Sequence, residues 1–197
     1  MGQYYKPVLV TDDGAVKSAY SHDYDSGLKL MEHSWVGNDF VNAVLGVLDQ
    51  TPQRLAWVGD YALSVVEEYC NYGGGFITSR DEFEKYYQMV WGEEPYTLID
   101  KQGPVYKLNK NDADCFVVNL TKGCYIDMKQ YVLENTHDGW CINPVPLLTS
   151  IGNGQGGGDY RGYDEDYDVG SWAFDKIYVA ALRPSDMEEV MYHFREE

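Results

Sequence analysis

The segment Ile151 to Trp172 gathers most of the groups in this chain that could do chemistry. It holds seven glycines, five carboxylates, three tyrosines and one arginine. Successive backbone N–H groups at Gly154, Gly156, Gly157 and Gly158 suit a nest around a phosphate oxyanion, with Arg161 adding charge. Asp159, Tyr160 and Trp172 complete this candidate ligand-binding set. The spacing is neither G-x-G-x-x-G nor a phosphate loop ending in Gly-Lys, and the nearby carboxylates oppose a polyanion. A glycine-rich turn that lets backbone approach backbone is the competing reading. Asp164, Asp166 and Asp168 alternate as calcium-loop carboxylates do. The loop places Val169 where an EF-hand needs glycine, so a solvated acidic stretch is favoured. No cofactor is assigned; Ca²⁺ or Mg²⁺ at those three aspartates is the one cation alternative.

Other titratable residues give weaker patterns. His22, His33, His137 and His193 show no paired metal-ligand spacing, and His33, beside Glu32 and near Trp35, reads best as a satisfied structural histidine. Cys141 stands four residues from His137, a separation that fixes no thiol–imidazole geometry. Asp60 and Asp175 each follow a tryptophan, Trp57 and Trp172, by three residues. Paired carboxylates can perform acid–base work, yet either can equally cap a turn. No G-x-S-x-G nucleophile motif is present. Trp35, Trp57, Trp140 and Trp172, with Tyr160, Tyr163 and Tyr167, are candidates for a recognition surface, although large aromatics in strands are mostly buried.

The elements that must position these groups follow from pattern. Tyr4 to Thr11 and Ala15 to Ser21 flank Asp12-Asp13-Gly14, a hairpin signal. Asn38 caps a helix whose apolar stripe is Phe40, Val41, Val44, Leu45 and Leu48. A strand over Arg54 to Val58 carries Trp57, and capping pairs Ser64/Glu67 and Ser79/Glu82 open two further helices. Strands are expected over Tyr96 to Ile99 and Val105 to Leu108. A second hairpin joins Cys115 to Leu120 and Cys124 to Met128 across Thr121-Lys122-Gly123. Pro144 and Pro146 argue against regular helix or central strand there. The chain closes with a strand, Ile177 to Leu182, and a helix opened by Ser185 and Glu188 with Met187, Val190, Met191 and Phe194 on one face.

These parts predict an α+β fold of antiparallel β hairpins with three to four amphipathic helices, in one compact domain over 1–197. The order strand, turn, strand, loop, apolar stretch and tryptophan occurs twice. That order suggests two pseudo-repeated halves, 1–62 and 114–182, with a helical insertion at 63–95.

Composition narrows the class. The 197 residues carry 32 acidic against 15 basic side chains, a formal charge of −17, and include 18 tyrosines. Such a field disfavours nucleic acid and anionic membrane and favours a basic protein partner or cations. No apolar run approaches the length of a membrane span and no signal-peptide pattern opens the chain. With four scattered cysteines and no CxxC pair, a cytoplasmic setting with reduced thiols is expected.

Several segments carry a resemblance: Met1-Gly2-Gln3-Tyr4-Tyr5-Lys6, Ser21-His22-Asp23-Tyr24 with Gly27 to Ser34, and Val58-Gly59-Asp60-Tyr61. Gly152-Asn153-Gly154 with Gly156 to Tyr160, and Gly170-Ser171-Trp172-Ala173 with Asp175, continue it. Spread in this order over most of the chain, they resemble uncharacterised bacterial and phage-type proteins. That resemblance implies no catalytic role.

The function expected from the residues is non-enzymatic. It is a cytoplasmic interaction protein presenting an acidic, Tyr/Trp-rich surface to a basic partner, as a phage-type inhibitor or mimic of nucleic-acid charge would. Two alternatives stand beside it. One is a protein sequestering a small polar, nucleotide-like ligand at the glycine-rich turn. The other is a hydrolase-type enzyme using Asp60, Asp175, His33 and Glu32.

Overall fold

The computed structural model describes residues 1–72, 76–92, 96–101, 103, 106–162 and 168–195. Strand β1 (Tyr5–Val10) turns through Asp12-Asp13-Gly14 into β2 (Val16–Ser18), the expected hairpin, with Gly14 at φ 81°. A short helix α1 (Leu30–His33) precedes α2 (Asp39–Leu48). Asn38 caps α2 by accepting the Val41 N–H at 3.1 Å, and the predicted apolar stripe is wholly buried. Strand β3 (Gln53–Gly59) pairs antiparallel with β1 along its length.

Two helices follow, α3 (Val66–Tyr72) and α4 (Arg80–Trp91). Ser79 Oγ caps α4 by accepting the Glu82 N–H, and Glu82 reaches back to the Thr78 N–H at 2.9 Å. Strand β4 (Thr97–Leu98) then joins β2 in parallel. The strand expected over Val105 to Leu108 begins outside the described residues, and Tyr106 to Leu108 is not a strand. Its backbone lies across α2 instead: Tyr106 N–H donates to Asn42 O, and Asn42 Nδ2 donates to Leu108 O.

The second hairpin forms as β5 (Phe116–Asn119) and β6 (Cys124–Asp127), followed by α5 (Met128–Asn135). Contrary to expectation, Pro144 and Pro146 stand within a helix, α6 (Pro144–Leu148). Both prolines fall in its first turn, where a backbone N–H has no intrahelical partner to lose. Asn143 caps the turn through the Val145 N–H at 3.0 Å. Then come β7 (Ser150–Ile151), β8 (Asp175–Ala180) and β9 (Glu188–Glu189).

The expected terminal helix is also corrected. Residues 185–187 bend and Glu188–Glu189 are extended: Glu188 N–H donates to Gly123 O and Val190 N–H to Tyr125 O, which attaches this segment to β6. The residues read as one helical face separate, with Met187 packing beside Val118 and Tyr125 while Val190, Met191 and Phe194 join the main core. Tertiary burial decides here over the local capping pair.

Among the described residues, nine strands make one mixed sheet in the order β4-β2-β1-β3-β8-β5-β6-β9, with β7 alongside the end of β3. Alternate residues of β3 divide between two cores, Leu55 and Trp57 on one side, Ala56 and Val58 on the other. The first side meets residues of α1, α2, α5 and α6, and the second meets α3 and α4. On that second side, β5, β6 and β8 carry only a small cluster around Val118, Tyr125 and Ala180. Read outward from the β3–β8 contact, each direction meets a single antiparallel hairpin, β1–β2 or β5–β6. A duplication of 1–62 in 114–182, with 63–95 inserted, is proposed from this order.

Candidate functional site

The glycine-rich segment is an internal clasp on both ends of the described chain. Gln3 N–H donates to Gly157 O at 3.1 Å, Gly157 N–H to Met1 O at 2.9 Å, and Met31 N–H to Gly158 O at 3.1 Å. A Cβ on Gly156 would lie 2.5 Å from Gln3 Cβ and 2.8 Å from Gln3 N, so glycine is required for this approach. The backbone nest holds the chain's own carboxylate. Asp159, nearly buried, accepts the Gly156 N–H at 2.8 Å and the Tyr5 hydroxyl at 3.1 Å. Burial raises the Asp159 carboxyl above its ordinary range, against the Gly156 amide, the Tyr5 hydroxyl and the Gly154 and Gln155 amides.

Tyr160 is buried edge-on against Phe194, and its hydroxyl donates to Arg195 O and accepts the Arg195 N–H, each at 2.9 Å. Of the remaining ligand candidates, Gly154 and Arg161 are exposed, and Trp172 is wholly buried with its indole N–H donated to Tyr192 Oη at 3.0 Å. The structure thus joins Gly156 to Tyr160 but leaves Trp172 in the core. Asp164, Asp166, Tyr163 and Tyr167 lie outside the described residues. Among the described residues no group of three or more His, Cys, Asp or Glu could hold a metal ion.

The acid–base candidates have separate hydrogen-bond partners. His33 is wholly buried between two of them: Nδ1–H donates to Gly27 O at 3.0 Å, and Nε2 accepts the Trp57 indole N–H at 2.9 Å, which fixes the tautomer. Burial lowers the His33 pKa to about 4, so the ring is neutral near pH 7. Glu32 pairs with Lys29 at 2.9 Å. Asp60 accepts the Tyr4 N–H at 3.1 Å. Asp175 accepts Asn119 Nδ2 at 2.8 Å with Lys122 at 3.9 Å, and burial raises its carboxyl against both.

A different group of residues forms an open, aromatic cleft. His137 and Trp140 exchange backbone N–H···O bonds at 2.8 Å in each direction, and between them Asp138 and Gly139 stand at φ 48° and 85°. Positive φ at both central positions defines a type I′ turn, for which Asp-Gly is a preferred pair. Lys110 Nζ donates to Gly139 O at the turn. Trp140, 65% exposed, is therefore displayed from a fixed backbone.

Facing it, Ser34 to Val36 runs antiparallel to Cys141 to Asn143. The Trp35–Ile142 bridge is flanked by Val36 N–H to Cys141 O at 2.9 Å and Asn143 N–H to Ser34 O at 3.1 Å. The Trp35 and Trp140 rings meet edge to face, centroids 6.1 Å apart and planes at 87°. They line a cleft of about 330 Å³ with Met31, Ser34, Cys141 and Ile142.

Ser34 Oγ is committed to Leu30 O at 2.6 Å, and burial pushes the Cys141 thiol up to about 11, which keeps it protonated. His137, the imidazole considered as its partner, is exposed on the turn. The sequence named Trp35 and Trp140 without joining them. The usable signal was Asp138-Gly139 directly before a tryptophan, a hairpin turn inside a stretch whose prolines obscured it. Comparison with family models, curated proteins and solved structures finds no match.

Proposed function

We propose that this chain is a non-catalytic interaction protein that docks a basic protein partner, with Trp140 and Trp35 as the anchor of the contact. The observation carrying this reading is Trp140, 65% exposed on a type I′ turn beside a second tryptophan. Tryptophan is among the residues that dominate binding energy at interfaces. A backbone already fixed by its turn loses little further freedom on association. The formal charge of −17 supplies attraction for a basic partner and speeds encounter.

In a cytoplasmic, phage-type setting the same surface would act as an inhibitor, occupying a basic groove in place of nucleic acid. No helix among the described residues is long and apolar enough to cross a membrane. The nucleotide-like ligand at Gly154 to Arg161 has less support, because the Gly156 N–H and the Asp159 carboxylate already hold one another. A hydrolytic role has less support too, because His33 has both ring nitrogens engaged in the core.

The test is calorimetric titration of a lysine-rich peptide into the protein at 50 and 300 mM salt. Affinity falls about 10-fold or more across that range, as expected of an encounter between opposite charges. Trp140→Ala abolishes the remaining high-salt binding. Equal affinity at both salts, or a Trp140→Ala protein that binds normally, overturns the reading.

A further inference from the structure

The turn between β5 and β6 brings an amide, a carboxylate and an amine together beside the start of β8. Asn119 is wholly buried and both ends of its side chain are engaged. Its Oδ1 accepts the Lys122 backbone N–H at 2.9 Å, and its Nδ2 donates to Asp175 Oδ2 at 2.8 Å. Lys122 Nζ lies 3.9 Å from that same carboxylate oxygen. The lysine therefore meets one end of the amide through its backbone and the carboxylate at the other end through Nζ, and its flexible stem bridges the two. Further ties hold the turn in place. Gly123 N–H donates to Asn119 O, Leu120 N–H to Lys176 O and Lys176 N–H to Thr121 Oγ1, each at 2.9 Å.

This ion pair stands apart from the others among the described residues. The Asp175 side chain is 12% exposed, whereas every other paired carboxylate is at least 36% exposed. Exposed pairs are weak and stay in contact with water. A carboxylate whose anion is disfavoured by burial takes up a proton more readily, and the cation beside it able to give one is the Lys122 ammonium.

Each part needed for amide transfer is then present. A lysine amine that has lost its proton is a nucleophile. A backbone N–H already on the amide oxygen stabilises the negative charge that attack would place there. A carboxyl group on the amide nitrogen can protonate it as it leaves. Holding the groups in one rigid turn removes the entropic cost of bringing them together.

We propose that Lys122 Nζ and the Asn119 side chain join in a self-formed isopeptide bond, with Asp175 carrying the proton between them. Asp175 takes one proton from the Lys122 ammonium, and the freed amine attacks Asn119 Cγ to form the new C–N bond. The Cγ–Nδ2 bond breaks as Asp175 returns that proton to Nδ2. A second proton from Nζ leaves with the departing ammonia, so an ammonium and an amide become an amide and a free ammonium ion. No oxidant, cofactor or other substrate is consumed. The bond does not depend on the docking function, and its test reads mass alone.

The experiment is intact-mass spectrometry of the full chain, freshly purified and after prolonged incubation, followed by tryptic mapping. The protein is expected to be lighter than its sequence by one ammonia. Trypsin should leave the Lys122–Gly123 bond uncut, giving residues 111–129 as one peptide that carries the whole loss. Lys122→Arg, at an exposed position that retains the charge, should keep the full mass and still bind the lysine-rich peptide. Asp175→Asn keeps the shape of the carboxyl without its proton transfer and should also keep the full mass.

Full wild-type mass after incubation, with Lys122 cleaved normally, overturns the proposal. Loss of ammonia that persists in Lys122→Arg assigns it to ring closure of Asn119 on its own backbone and overturns the cross-link. Conversion of Asn119 to aspartate shows that water takes the carbonyl instead, and overturns it as well. Bond formation in Asp175→Asn as complete as in wild type removes Asp175 from the step.

Discussion

Four tryptophans form two contrasting pairs. Trp57 and Trp172 are wholly buried, each with its indole N–H donated to a named acceptor, His33 Nε2 and Tyr192 Oη. Their backbone N–H groups both reach the end of α6, at Thr149 O and Leu148 O, each at 2.7 Å. Trp35 and Trp140 stand at a surface cleft and meet one another. The side chain is the same in both places. What differs is whether the surrounding backbone encloses the ring or holds it out, and on the proposed function that difference separates a stabilising ring from a binding one.

The largest effect that could break this contrast is on folding. Trp57→Ala removes a buried aromatic from the core and strands the His33 acceptor, costing about 3–5 kcal/mol. Trp140→Ala changes stability by about 0.5 kcal/mol or less, as exposed positions do. Urea denaturation of both variants measures the difference; similar losses would show that Trp140 is a structural residue.

The next effect is a pH dependence at the buried pair, through His33, the acceptor of the Trp57 indole N–H. His33 titrates near its ordinary value of 6.5 when unfolded and at about 4 when folded. Between those values the unfolded chain binds a proton that the native chain excludes. This contribution is therefore complete above pH 6.5 and is lost as pH falls through about 4, a change of about 3 kcal/mol. Asp159 and Asp175, raised by burial, act in the opposite sense, since their cost is relieved as pH falls. Comparison with His33→Gln isolates the histidine: the stability gap between wild type and variant should narrow from pH 6.5 to 4. A gap that stays constant would mean that His33 is not held neutral by the fold.

The smallest effect concerns how Trp140 is displayed. Gly139 at φ 85° tolerates a side chain poorly, so Gly139→Ala strains the turn by about 1–2 kcal/mol. Trp140 remains in the sequence but loses its fixed position, and affinity for the lysine-rich peptide drops several-fold with little change elsewhere. Unchanged affinity would show that the turn does not preorganise the contact.

Much of the fold was legible because local signals agreed with burial. The Asn38 and Ser79 caps, the apolar stripe from Phe40 to Leu48, and both hairpins stand as their patterns imply. The failures occurred where a local signal competed with a distant one. Ser185 and Glu188 have capping spacing, but β6 offers its edge to the same residues. Pro144 and Pro146 read as helix breakers until their place in the first turn of α6 is known.

The site was harder to read for the same reason. Gly156 to Gly158 looked like a ligand cradle because sequence shows amides without showing what approaches them; here Gln3, Met1 and Met31 do. Trp35 and Trp140 are separated by more than a hundred residues and meet through one antiparallel bridge, Trp35 with Ile142. Nothing local announces that pairing.

The most direct test observes the two pairs together. In protein carrying nitrogen-15 at its five tryptophans, each indole N–H gives one signal to follow as the lysine-rich peptide is added. The Trp35 and Trp140 signals are expected to shift in proportion to occupancy while those of Trp57 and Trp172 stay in place. Shifts confined to Trp57, Trp91 or Trp172, or saturation of binding with Trp35 and Trp140 unmoved, would contradict it.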